Sequence, residues 1–310
     1  MHRRTLLGSA GLGLTAFAGL GTWAYRAAPA FWNQYADDLK RGILPAPHRP
    51  DPKTWSDTGL HAAWLGHSTV LLKIDGTTIL TDPVFSPRVG INLGIMTLGV
   101  KRLVEPALAI KQLPKIDLIL LSHAHFDHFD TPTLNAFENS GTAGITASKT
   151  SDLLRVNRYR SVQELGWGER TRVGAVEVRG LEVKHWGARM RNDTYRGYNG
   201  YTIESGRFRV IFGGDTALTP AFRDLKTSRR YDLAIMPVGA YNPWIRVHCN
   251  PEESWTMAND AGTEFFLPIH HQTFALSREP RHEPIERLMT AAGRNTDRIV
   301  LQQIGQEFQL

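Results

Sequence analysis

The chain has 310 residues, 42% hydrophobic and 21% charged, a balance that excludes a disordered or collagen-like polymer and suits one α/β unit. Its single cysteine, Cys249, excludes an internal disulfide and any cysteine-only metal cluster. Half of the net charge of +6 comes from Arg3, Arg4 and Arg26, so the remainder is too mildly basic for a nucleic-acid footprint.

Residues 1–30 read as a targeting segment and residues 31–310 as the folded body. Arg3 and Arg4 precede an uncharged run from Thr5 to Tyr25, and the pair followed by Thr5-Leu6-Leu7 resembles a bacterial twin-arginine export signal. Ala28-Pro29-Ala30 offers a cleavage site. The rival reading is an uncleaved anchor, since about 20 apolar residues cross a bilayer. Either way the body is expected outside the cytoplasm, periplasmic or tethered to the inner membrane.

A helix is expected over Phe31–Arg41, followed by a proline-rich surface linker, Pro45–Pro52. Apolar runs at Leu60–Leu65, Val70–Ile74 and Thr77–Thr81 predict strands, the last two joined by the Asp75-Gly76 turn. The segment Ser86–Val104 is expected to be an apolar loop. Ile116–Leu121 predicts a buried strand, Leu134–Phe137 and Ser151–Val156 short helices. Further strands are expected at Thr171–Val173, Val176–Val183, Gly200–Ile203, Phe208–Phe212, Tyr231–Met236 and Glu264–Leu267, with a helix over Pro251–Ala261. Glu283–Ala292 predicts a last helix and Ile299–Leu301 a closing strand. Hairpins first, then strands alternating with helices, predict two packed sheets with helices outside.

Ser122-His123-Ala124-His125-Phe126-Asp127-His128 places three imidazoles and a carboxylate directly after a predicted strand. In an extended turn His123 and His125 point the same way and can share one metal ion. Asp127 and His128 then turn toward a second ion about 3.5–4 Å away, the spacing of two-metal hydrolytic sites. Imidazole and carboxylate without thiolate suit two zinc ions, with iron or manganese as alternatives. Four ligands are too few for two ions. His185, Asp215 and His270 each end an apolar strand and complete the set, although a lone histidine at a strand end is usually structural.

The order His123-x-His125-x-Asp127-His128, His185, Asp215, His270 resembles the metallo-β-lactamase superfamily. Within it the chain is similar to the phospholipase D family that hydrolyses N-acyl-phosphatidylethanolamine, with its bacterial relatives. Trp64-Leu65-Gly66-His67-Ser68-Thr69, Gly239-Ala240-Tyr241 and His270-His271-Gln272-Thr273-Phe274 carry that narrower likeness. The resemblance implies an αββα sandwich with a dinuclear site at one edge. It implies His123, His125 and His185 on one ion, Asp127, His128 and His270 on the other, and Asp215 bridging both. It also implies a metal-bridging hydroxide as nucleophile, oriented by Asp127, which takes its proton. Asp82 reads either as the carboxylate that fixes a ligating imidazole or as a turn residue before Pro83. His248 matches a family histidine near the substrate, expected either to touch the leaving group or to anchor its loop. The family has Trp-Gly where this chain has His271-Gln272, which leaves His271 open between an outer support and an alternate ligand.

The function expected from this resemblance is a zinc-dependent phosphodiesterase of phospholipase D type, acting on a lipid substrate with peripheral membrane contact. The alternative is a lactone or carboxylic ester hydrolase using the same site, because fold and metals do not encode substrate. Neither nucleic acid nor a protein partner is expected, and a complete ligand set argues against a non-catalytic binding module. Arg189, Arg191 and Arg196 are candidate phosphate contacts, against the alternative of a solvated charge cluster. Tyr241 and Trp244 are candidate pocket walls. His61 and His67 are expected to be structural, His48 and His282 to lie on the surface, and Cys249 to be a small buried residue.

Overall fold

A helix over Pro29–Lys40 (α1) leads through the proline-rich linker into strands Leu60–Gly66 (β1), Thr69–Ile74 (β2) and Thr77–Thr81 (β3). The structure, a computed structural model, describes Arg26 and residues 28–310, so the expected leader lies outside the described residues except at its end. Asp75 and Gly76 form the β2–β3 turn with φ of 45° and 82°, as a two-residue hairpin requires.

Arg88–Asn92 (β4) and Thr97–Lys101 (β5) pair as a separate two-stranded ribbon where a loop was expected. Glycines 90, 94 and 99 interrupt the apolar alternation by which a strand is read from sequence. The chain continues through Leu118–Leu120 (β6), a short helix Thr131–Ala136 (α2), Ala143–Ala147 (β7) and Ser161–Leu165 (β8). Neither β7 nor β8 was expected. One is built from Ala, Gly and Thr around a single Ile145, and the other is a largely exposed edge, so neither shows a strong apolar run.

Arg170–Val173 (β9), Val176–Leu181 (β10), Gly200–Glu204 (β11), Arg209–Phe212 (β12) and Tyr231–Pro237 (β13) follow. Then come the helix Pro251–Asp260 (α3), strand Thr263–Ile269 (β14), helix Glu283–Ala292 (α4) and Glu307–Gln309 (β15). The first sheet has the order β15-β1-β2-β3-β6-β7-β8 and the second β14-β13-β12-β11-β10-β9. Ile299–Leu301 is not the closing strand. Ile299 makes one isolated bridge to Phe266, and β15 closes the first sheet against β1 instead.

Alternation along the second sheet's strands explains the layering. Val210, Phe212, Leu233, Ile235, Leu267 and Ile269 share one apolar cluster with the first sheet's Leu71, Ile79 and Leu120. Their neighbours Ile211, Ala234, Met236 and Phe266 face the other way, against Trp255 and Met257 of α3 and Leu288 of α4. The result is the αββα sandwich. Helix α3 starts sharply. Pro251 occupies its first turn, the Asn250 side chain accepts from Glu253 N at 2.8 Å, and the Glu253 carboxylate accepts from Asn250 N at 3.1 Å. That cap fixes the end of the loop carrying His248.

β3, β6, β7 and β8 run parallel in the first sheet and β12, β13 and β14 in the second. Asp82 follows β3, the histidine cluster follows β6, Asp215 follows β12 and His270 follows β14. Tyr198 bridges to His123, and Asn199 N donates to Ser122 O at 2.9 Å, stitching the two sheets together at this edge.

Phe212 is fully buried between the sheets. Phe212→Ala is expected to lower unfolding stability by about 3–5 kcal/mol. Urea denaturation followed by circular dichroism checks this, and a loss below about 1 kcal/mol would contradict the packing described.

Candidate metal centre

Four strand ends, those of β6, β10, β12 and β14, bring seven side chains together. Asp215 Oδ2 lies 3.1 Å from His128 Nε2, 3.2 Å from His270 Nε2, and 3.8 Å from both His123 Nε2 and His185 Nε2. No other carboxylate oxygen faces so many of the ring nitrogens. Asp127 Oδ2 sits 3.4 Å from the Nε2 atoms of both His128 and His270. His125 Nδ1 is 2.8 Å from His123 Nε2 and 3.3 Å from His185 Nε2. Among the described residues two four-residue sets emerge in which one ligand atom per residue lies within 4.8 Å of every other, His123, His125, His185 and Asp215, and His67, Asp127, His128 and His270; Asp82, His123 and His128 form a three-residue set, as do Asp215, His248 and His270.

Hydrogen bonds behind the rings decide which nitrogen faces the centre. His185 Nδ1–H donates to Val247 O at 2.8 Å, and His128 Nδ1–H donates to Asp82 Oδ2 at 2.7 Å, leaving each Nε2 lone pair directed inward. The Ser122 hydroxyl donates to Asp82 Oδ2 at 2.5 Å and so accepts from His123 Nδ1–H at 2.9 Å. Asp82 is itself held by Ser122 N at 2.7 Å and is fully buried. One carboxylate therefore fixes two imidazoles, one directly and one through a hydroxyl. Of the two readings open for Asp82, the geometry selects the supporting carboxylate.

The buried atoms fit a cation. His128 Nε2, His270 Nε2 and Asp215 Oδ1 have no hydrogen-bond partner among the described residues, and such unmet valences are rare in folded proteins unless an ion or water satisfies them. The electrostatics agree. Burial holds His123 and His185 well below the ordinary imidazole range, as neutral ligands must be. Burial would raise Asp127 and Asp215, but positive charge at the position of the His128 ring and its neighbours outweighs it and holds both carboxylates well below their ordinary range. Burial likewise opposes protonation of His270, yet the Asp215 charge and the nearby Asp127 carboxylate lift it to about 9. The carboxylates demand positive charge where these rings converge.

His67 was expected to be structural. It is instead the nearest partner of Asp127, its Nε2–H donating to Asp127 Oδ2 at 2.9 Å, with its ring 4.2 Å from that of His270. The Gly66-His67-Ser68-Thr69 match was the available signal, but its position before a strand hid its direction. Backbone conformation marks the same place. His67, Asp82, Ala240, His270 and Gln272 all have left-handed φ, between 30° and 64°, a state that costs a non-glycine residue about 1–2 kcal/mol. Gly214 also needs its φ of 56°, and a Cβ there would come within 2.8 Å of Ser122 Cβ.

His248 Nδ1 lies 3.9 Å from Asp215 Oδ2 and joins the wall of a cavity of about 370 Å³ above the carboxylates. Trp186, Trp244, Phe126, Val89, Val100 and Leu276 make that cavity largely apolar. Trp244 thus lines it as expected. Tyr241 does not, because its hydroxyl donates to Glu283 at 2.7 Å. His271 belongs to none of these ligand sets. Its ring stacks on Trp64 at 4.6 Å. Cys249 is fully buried with its thiol toward Pro237 O.

Two of the arginines expected near a phosphate are committed elsewhere. Arg189 donates to the carbonyls of Ala124 and Phe129, both at 2.8 Å, and stacks over Phe126. Arg196 is paired with Asp152 and Asp193. Arg191 is exposed and outside the cavity wall. These carbonyls and carboxylates satisfy the two buried guanidinium groups locally, which a sequence run of arginines cannot reveal.

Comparison with known proteins agrees with this geometry. The profile of the beta-lactamase superfamily domain matches residues 77–271. An uncharacterized protein of Mycobacterium tuberculosis is 33% identical over 244 residues, covering 75% of this chain and 64% of its own length. The N-acyl-phosphatidylethanolamine-hydrolyzing phospholipase D 1 of Caenorhabditis elegans is 28% identical over 262 residues, covering 76% of this chain and 71% of its own. The chain therefore spans less than two thirds of the length of the mycobacterial relative. A metallo hydrolase of the archaeon Ignicoccus hospitalis superposes with a TM-score of 0.61 at 16% identity, over 82% of this chain and 99% of its own, which shows the shared fold.

Asp82→Asn keeps the shape but weakens acceptance from the His128 and His123 relays. Metal affinity measured by chelator competition is expected to fall about 10–100-fold, with the circular dichroism spectrum unchanged. Unaltered affinity would remove Asp82 from its supporting role.

Proposed function

The chain belongs to the metallo-β-lactamase superfamily of metal-dependent hydrolases, and on that premise we propose that it is a phosphodiesterase of phospholipase D type acting on N-acyl-phosphatidylethanolamine-like lipids. The observation that carries this reading is the cavity, apolar along its walls and acidic and imidazole-rich at its floor. Such a shape suits an amphiphile, with the acyl chain on the walls and the scissile group at Asp127 and Asp215.

In this proposal His123, His125 and His185 hold one ion, Asp127, His128 and His270 the other, and Asp215 both. Zinc suits the nitrogen and oxygen donors and the absence of thiolate among them. When bound, the ions supply Lewis acidity and an activated water at neutral pH. Asp127, steadied by His67, aligns that water and accepts its proton. His248 faces the leaving group from the cavity wall, and Trp186 and Trp244 exclude bulk water. The proposed address outside the cytoplasm rests on the Arg3-Arg4 leader.

One observation favours the second reading, a lactone or carboxylic ester hydrolase. Among the described residues no Lys or Arg lines the cavity, so they offer a phosphodiester no such countercharge beyond the ions.

Incubation with N-acyl-phosphatidylethanolamine is expected to yield phosphatidic acid and N-acylethanolamine by mass spectrometry. Asp127→Asn is expected to reduce the rate by at least about 100-fold with metal content retained. Intact lipid beside rapid lactone opening would overturn the phosphodiesterase reading. An Asp127→Asn variant with unchanged turnover would overturn the role given to Asp127.

A further inference from the structure

The β4–β5 ribbon carries two surfaces with different fates. Near its base Val89 and Val100 turn inward onto Phe126, Phe274 and Leu276, beside the metal-site histidines. At its outer end Ile91, Leu93, Ile95 and Met96 project into solvent, with Ile95 95% exposed. Residues 89–100 carry no charge, and a cation brackets them at each end, Arg88 and Lys101. An apolar ribbon that leaves its end bare on the surface is an interaction element rather than a packing element.

The tip is built rather than slack. Leu93 N donates to Met96 O at 2.8 Å, Gly94 N donates to Asn92 Oδ1 at 2.7 Å, and Gly94 has a φ of 83°. Gly90 and Gly99 face each other across the ribbon, and a Cβ on either would fall within about 2 Å of a carbonyl oxygen on the opposite strand. Both glycines also line the catalytic cavity. The ribbon is thus a stretch of bare backbone running from the metal centre to an exposed apolar end.

What covers that end follows from where the chain enters. Asp38 of α1 accepts from Lys101 N at 3.0 Å and from Arg88 Nη1 at 3.4 Å, and Lys101 Nζ donates to Asp38 O at 2.8 Å. Arg88 also stacks over Tyr35 at 4.3 Å. Helix α1 is therefore clamped to the ribbon's base, and it begins at Pro29, separated by three residues from the uncharged run Thr5–Tyr25. The sequence run apolar enough to enter a bilayer thus connects to the described body through the helix that holds the ribbon. Trp186 and Trp244, 39% and 49% exposed at the cavity wall, are the residue type that settles at a lipid–water interface.

We propose that the β4–β5 tip inserts into a lipid monolayer and that Gly90 and Gly99 form the track along which an acyl chain passes from that monolayer to the metal centre. The proposal rests on the lipid-hydrolase reading for the track, but the insertion itself is read without turnover. The buried Cys249 thiol leaves an introduced surface cysteine as the labelling site. The full-length chain with Ile95→Cys, carrying an environment-sensitive fluorophore, is mixed with vesicles of phosphatidylethanolamine and phosphatidylglycerol whose acyl chains bear spin labels. The same label at Ser140→Cys, at the opposite end of the parallel strands from the site, serves as reference.

The expected result is a blue shift, a several-fold rise in emission on unlabelled vesicles and strong quenching by the acyl-chain spin labels at position 95. Position 140 is expected to show none of these. A position-95 label that stays open to aqueous iodide while the protein is vesicle-bound overturns the proposal, even where N-acyl-phosphatidylethanolamine is cleaved. A blue shift that grows with protein concentration in the absence of lipid overturns it in favour of a second copy. Insertion without lipid cleavage sustains the docking and removes the phospholipase reading. For the track, Val100→Asp, which charges the cavity wall beside Gly99 without adding a Cβ between the strands, is expected to cut turnover of the long-chain lipid at least tenfold more than that of a short-chain soluble diester. Equal losses on both overturn the track.

Discussion

Asp215 is a buried carboxylate and Asp127 a half-buried one beside it, and everything at the active edge follows from keeping them charged. A carboxylate withdrawn from water costs several kcal/mol unless opposite charge and hydrogen bonds replace its solvation. The fold meets this demand with ring nitrogens from three strand ends, His123 and His128 after β6, His185 beyond β10 and His270 after β14, arranged around Asp215 at 3.1–3.8 Å. Such an arrangement is useful only if the rings present lone pairs rather than protons. The outer contacts to Asp82, Ser122 and Val247 impose that orientation. Left-handed backbone at His67, Asp82 and His270 is the conformational cost of bringing these groups so close.

Much of this was legible because metal ligation leaves a mark in sequence. The H-x-H-x-D-H run and the three strand-end residues His185, Asp215 and His270 converge where their spacing and the family likeness placed them. Buried strands with strong apolar runs, such as β1 to β3 and β13, were equally legible. What escaped detection depended on contacts distant in sequence. His67 reaches Asp127 across 60 positions, and Arg189 and Arg196 are consumed by carbonyls and carboxylates that no local pattern announces. Strand β7 escaped because its burial comes from neighbours on both sides, which lets Ala and Gly suffice. The β4–β5 ribbon escaped because its glycines look like loop and act as close-packed backbone.

The centre and its cavity divide the labour of a hydrolase. The charged floor comes from the parallel strand ends of both sheets, which are rigid and buried. The apolar walls come from loops and from the ribbon, which lie outside the sandwich. A single fold can therefore keep its chemistry while its walls change substrate. In this chain the walls carry Trp186, Trp244, Val89 and Val100 and, among the described residues, no Lys or Arg.

X-ray absorption spectroscopy at the metal edge of the full-length protein tests the central claim most directly, since it reads ligand type and metal–metal separation without any substrate. A pair of ions about 3.5–4 Å apart, bound only by nitrogen and oxygen donors, is the predicted result. A single ion per chain, or sulfur in the coordination sphere, would contradict an account in which Asp215 is shared between two sets of imidazoles.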